Sequence, residues 1–104
     1  MLKSQMWDLT RMTEFSKTRR VKKDVCTTKM FNIVLVRLET GQEIPPRPEP
    51  YDVCFYVIEG QGTFTVGDKQ TELNADSMIF APANVARGIR SSKQLSILGI
   101  QEAH

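Results

Sequence analysis

From Val21 onward the apolar residues come in short runs, broken by turn residues every eight to twelve positions. FNIVLVRL (31–38) is nearly continuous and rich in β-branched side chains. That pattern predicts a strand covered on both faces rather than one half exposed to water. VCFYVIE (53–59) predicts another strand, ended by GQG (60–62). TFTV (63–66) alternates, and Gly67-Asp68 predicts a tight hairpin into KQTEL (69–73). SMIFA (77–81), VARGIRS (85–91) and QLSILGI (94–100) follow, each bounded by turn residues. IPPRPEP (44–50) is too rich in proline for a helix or a central strand. About eight short strands without a core helix predict an antiparallel sandwich or barrel.

The first fifteen residues read as extended chain or a short helix. Trp7, Leu9, Met12 and Phe15 give this segment enough apolar weight to dock. The basic run KTRRVKK (17–23) reads as a solvated, charged segment near a sheet edge. It has no interleaved aromatic residues for stacking, so nucleic acid is not expected as a partner.

Composition narrows the picture. A chain of 104 residues accommodates one domain with a modest core. The apolar fraction of 40% and charged fraction of 25% are those of a soluble globular protein. No apolar run approaches the roughly 18 residues of a membrane span, and no uninterrupted apolar segment opens the chain as a secretory signal does. A cytoplasmic location with reduced thiols at Cys26 and Cys54 is the expectation. His104 is the one histidine. Multi-histidine metal sites and Ser-His or Cys-His catalysis are therefore not expected within one chain, unless the tail folds back into a site.

The most informative stretch is GQEIPPRPEPYDVCFYVIEG (41–60). Gly41 is followed after five residues by Arg47, with Glu49 two further on, then Val53 and the closing Gly60. Later in the chain Asp76, Pro82, Asn84, Arg87 and Ser91 repeat a second fixed spacing. Together these resemble the two motifs of the cupin family, over roughly residues 30–101. The resemblance implies an all-β fold: a single antiparallel jelly-roll β-barrel or sandwich spanning 1–104, with an N-terminal arm over about residues 1–20. Asp76 and Asn84 stand where the family has glycine. Both residue types tolerate a left-handed backbone, so the turns are expected to survive.

Catalytic cupins hold a divalent metal through three imidazoles and a carboxylate. Here those positions are Arg47, Glu49, Val53 and Arg87. Guanidinium offers no lone pair and valine no donor atom. No metal or other cofactor is therefore expected, and the family's metal-dependent activities do not carry over.

If the strand runs regularly from 47 to 57, alternation lines the interior with Arg47, Glu49, Tyr51, Val53, Phe55 and Val57, with Arg87 opposite. Cys54 and Tyr56 then face outward. Two readings follow. In one, Arg47, Glu49 and Arg87 form an ionic plug, and the domain is a structural homodimerisation module. In the other, the excess of arginine makes a pocket for a carboxylate or other small anion, and the domain binds or regulates without catalysis. A metal-independent isomerase or epimerase using Tyr51 with Glu49 is a third. A homodimer is expected, because one short chain has little else to cover a second sheet face.

Overall fold

The computed structural model describes residues 4–104, so the first three residues of the expected arm lie outside it. A single turn of helix, α1 (Leu9–Met12), is capped by Asp8, whose carboxylate accepts from the Thr10 amide. Nine strands follow: β1 (Val21–Thr27), β2 (Phe31–Leu38), β3 (Glu43–Arg47), β4 (Val53–Glu59), β5 (Gln61–Val66), β6 (Lys69–Asn74), β7 (Met78–Ala81), β8 (Arg87–Ser91) and β9 (Leu95–Glu102). They form two antiparallel sheets, ordered β1-β2-β9-β4-β7 and β3-β8-β5-β6.

The strand beyond the expected eight is β3, inside the proline-rich segment. It is possible because β3 is an edge strand that pairs only with β8. Proline removes a ladder donor, which an edge tolerates on its outer side. The ladder is irregular between Ile44 and Arg47, where Pro45 and Pro46 intervene. The β3–β8 approach is close: a side chain on Gly88 would come within 2.7 Å of Pro46.

The predicted turns form. β5 and β6 join through Gly67-Asp68, with Val66 opposite Lys69 and Gly67 at φ +64°. Asp76 and Asn84 adopt φ of +68° and +69°, so both substitutes for glycine hold the left-handed geometry.

The core lies between the sheets. Val34, Val36 and Leu38 of β2, Val53, Phe55 and Val57 of β4, and Leu95 and Ile97 of β9 face Phe64, Leu73 and Ile89. Phe55 and Phe64 meet in a tilted pair, ring centroids 5.9 Å apart.

The other face of the larger sheet is covered unevenly. Near the C-terminal end of β2 it carries the N-terminal arm. Arg37, buried there, donates to the Thr13 and Leu9 carbonyls at 2.7 and 3.0 Å and lies 5.5 Å from the Phe15 ring centroid. Trp7, upstream of these anchors, is 38% exposed. Further along, the register aligns Cys26, Ile33, Ile100, Cys54 and Phe80 in one row across all five strands. Two strands therefore separate the cysteines, a gap of about 14 Å at normal strand spacing and too wide for a disulfide.

Candidate functional site

Arg47, Glu49, Tyr51, Val53, Phe55 and Arg87 all line one cavity of about 180 Å³ at one end of the sandwich. The route to this arrangement differs from the expected one. The segment 47–57 is not one strand: β3 ends at Arg47, β4 begins at Val53, and the two belong to different sheets. Between them lie Pro48 and Pro50, which cannot continue a ladder on both sides. Alternation therefore holds only within β4, where Val53, Phe55 and Val57 are buried and Cys54 and Tyr56 lie on the other face. Tyr56 donates its hydroxyl to the Asp76 carboxylate there.

Without that continuity Arg47 is not an interior residue. Its side chain is 77% exposed, and its Nε donates to Glu49 Oε1 at 2.6 Å across the cavity mouth. Glu49 is fixed from behind, because its carbonyl accepts the Asn84 amide at 2.7 Å. The left-handed turn at Asn84 thus positions the acid.

Arg87 is the interior charge, only 6% exposed. It forms no ion pair; among the described residues, the two ion pairs are Arg11–Asp8 and Arg47–Glu49. The three-residue ionic plug of the first of the two readings is therefore not formed. Instead Arg87 donates to three carbonyls: Val85 at 2.9 Å, Tyr51 at 3.1 Å and Pro82 at 2.6 Å. This fastens the 49–51 and 82–85 loops to the start of β8. The guanidinium also lies 5.5 Å from the Tyr51 ring centroid. Three of its five N–H groups are used this way, so two remain.

Tyr51 completes the rim. Burial first, and the Glu49 carboxylate second, push its phenol above the usual value, against the pull of Arg87 and Arg47. The phenol therefore stays protonated at neutral pH and can donate a hydrogen bond. The tail does fold back: the His104 ring stacks on Tyr51 at 3.9 Å, and its Nε2 lies 3.1 Å from Gln101 Oε1.

Sequence reasoning missed several lining residues. Arg20 and Lys22 contribute from the basic run assigned to solvent, and Val34, Val36, Ile44 and Gln101 complete the wall. Lys22 pairs directly with Val36, and paired residues share a sheet face. Because Val36 points into the core, Lys22 points the same way, at the open end. The cavity thus carries Arg20, Lys22, Arg47 and Arg87 against the single acid Glu49.

The donor chemistry does not fit a transition metal. The four positions of the metal-binding pattern hold two guanidinium groups, one carboxylate and one isopropyl group. Among the described residues, no cluster of three or more His, Cys, Asp or Glu could hold an ion.

Comparison with known proteins agrees with the fold. The family model described as "Cupin domain" matches residues 34–100. The chain belongs to the cupin superfamily. Among solved cupin-fold structures it is similar to an RmlC-like cupin protein from Desulfovibrio desulfuricans, with TM-score 0.87, 23% identity, and coverage of 96% of this chain and 97% of that one. It is also similar to the TT1209 protein from Thermus thermophilus, with TM-score 0.86, 24% identity, and coverage of 96% and 97%. KdgF from Halomonas sp. matches with TM-score 0.78 and 17% identity, over 82% of this chain and 81% of that one. At these identities the likeness concerns the fold. No curated protein sequence matches this cupin. No helix among its described residues is long and apolar enough to cross a membrane.

Proposed function

We propose that this cupin is a metal-free binding or regulatory module whose barrel takes a small anion, with a carboxylate as the best fit. One observation carries the reading. Arg87 is a buried guanidinium beside the cavity, without a carboxylate partner and with N–H groups to spare. A buried charge is costly until it is compensated, and a forked donor pairs best with a planar oxyanion. Arg20, Lys22 and Arg47 add an attractive field at the mouth. Tyr51, held neutral, supplies a further donor. The ligand is held rather than transformed: Glu49 is committed to Arg47, the Tyr51 phenol is held away from ionisation, and His104, stacked on Tyr51 with Nε2 at Gln101, is not among the residues lining the cavity.

Thermal-shift and calorimetric titration with carboxylates, phosphate and matching neutral amides tests this. Anions are expected to raise the melting temperature, amides not, and Arg87→Lys is expected to weaken the effect by replacing a fork with a point charge. No shift from any anion would sink the reading.

A second reading concerns assembly. Met78 and Phe80 on the edge strand β7 are 56% and 55% exposed, and Phe31 and Ile100 continue the apolar row. The acids beside it, Asp52 and Glu102, are internally engaged with the Ala83 and Asp52 amides. An apolar strip whose neighbouring carboxylates are turned to backbone amides suits a second copy related by a two-fold axis. Sedimentation of the wild type against Phe80→Lys checks it; a wild-type monomer at high concentration would rule it out.

A further inference from the structure

We infer that the ligand is a compact carboxylate with one charged end and a hydrocarbon body, of the size of a short branched-chain or simple aromatic acid. This rests on the anion-binding reading and narrows it. The narrowing comes from where each part of the wall originates. Charge enters from the sheet edges: Arg20 and Lys22 from β1 and the residue before it, Arg47 from β3, with Arg87 at the first position of β8. Carbon enters from the strands inside the larger sheet, as Val34 and Val36 of β2 and Val53 and Phe55 of β4.

A ligand that fills this space meets cations on one side and alkyl or aromatic groups on the other. A sugar acid fits poorly. Glu49, Tyr51 and Gln101 could partner a few of its hydroxyls, but those turned to the wall of valine and phenylalanine would leave water without a partner. Inorganic phosphate fits poorly for the complementary reason: it satisfies the cations and leaves the apolar wall uncovered.

Size points the same way. The cavity of about 180 Å³ is smaller than typical drug-sized pockets. A compact acid therefore fits it better than an extended one.

Calorimetric titration of the full chain with 3-methylbutanoate, benzoate, acetate, inorganic phosphate and 3-methylbutanamide tests this. Each buried methylene is worth about fourfold in affinity, so 3-methylbutanoate is expected to bind at least about tenfold tighter than acetate. Benzoate is expected to match it or exceed it, and the amide to lose at least about tenfold. Ile44→Thr, a change at the half-buried margin of the cavity, is expected to weaken 3-methylbutanoate several-fold and leave acetate unchanged. Acetate or phosphate binding as tightly as the branched acid would overturn the hydrocarbon body and leave the anion reading standing. The amide binding as tightly as the acid, or no anion binding at all, would overturn both.

Discussion

Arg37 and Arg87 are the same device used in two places. Each is a buried arginine without an ion pair, each donates to backbone carbonyls, and each lies 5.5 Å from an aromatic ring centroid. Arg37 fastens the N-terminal arm to the outer face of β2, and Arg87 fastens two loops at the end of the barrel. The difference lies in what surrounds them. Arg37 lies under the arm with no cavity beside it, and its Nε has no hydrogen-bond partner among the described residues. Arg87 opens on a cavity with three further cations on its wall. A buried guanidinium is thus a structural clamp by itself, and on the proposed anion-binding reading it becomes a binding group only where space and field are added.

The sharpest way to break this comparison is to remove each clamp. Arg87→Met strips three carbonyls of their donor in a confined place. It is expected to cost about 3–5 kcal/mol of stability in urea unfolding and to abolish the anion-induced thermal shift. Arg37→Met exposes two carbonyls of a surface arm that water can reach. The expected loss is about 1–2 kcal/mol, with faster proteolysis before residue 20 and unchanged anion affinity. If Arg37→Met weakened anion binding as much as Arg87→Met, the distinction between clamp and site would fail.

Glu49→Gln sharpens the field half of the comparison. Deleting the one acid is expected to raise anion affinity about three- to tenfold, the scale of one nearby charge at a hydrated rim. The broken pair with Arg47 is largely solvent-screened, so stability should change by less than about 1 kcal/mol.

The smallest effect is the titration of Tyr51. Its folded pKa is raised, so folded and unfolded chains are both protonated below the ordinary phenol value of about 10. Above that value the unfolded chain releases its proton first. Stability therefore falls as pH rises through the folded pKa, and Tyr51→Phe removes that part of the fall. Phenolate absorbance of the wild type minus that of Tyr51→Phe follows it during alkaline titration, with the contribution of Tyr56 removed.

The fold was legible because it is written in local rules: period-two burial in β4, a Gly67-Asp68 hairpin, and Asp76 and Asn84 at left-handed turns. The site was legible only residue by residue. Extending alternation from Val53 back to Arg47 crosses a proline-rich break between two sheets, so it placed Arg47 inside when it stands at the mouth. Arg20 and Lys22 were hidden for another reason. A charged run at a sheet edge looks solvated until the ladder is known, and only the pairing of Lys22 with Val36 turns it toward the cavity. The partner of Arg87 was unreadable too, since carbonyl acceptors belong to every residue and leave no signature in a sequence.

The docked arm gives the molecule two separate optical reporters. Trp7 is the single indole in the chain and sits just upstream of the anchors that Arg37 holds. Its emission reports arm docking and should ignore a ligand in the barrel. Tyr51 lines that barrel, so the ultraviolet difference spectrum of its phenol reports occupancy. One unlabelled sample can therefore show whether filling the cavity loosens the arm, with wavelength alone separating the two ends of the question.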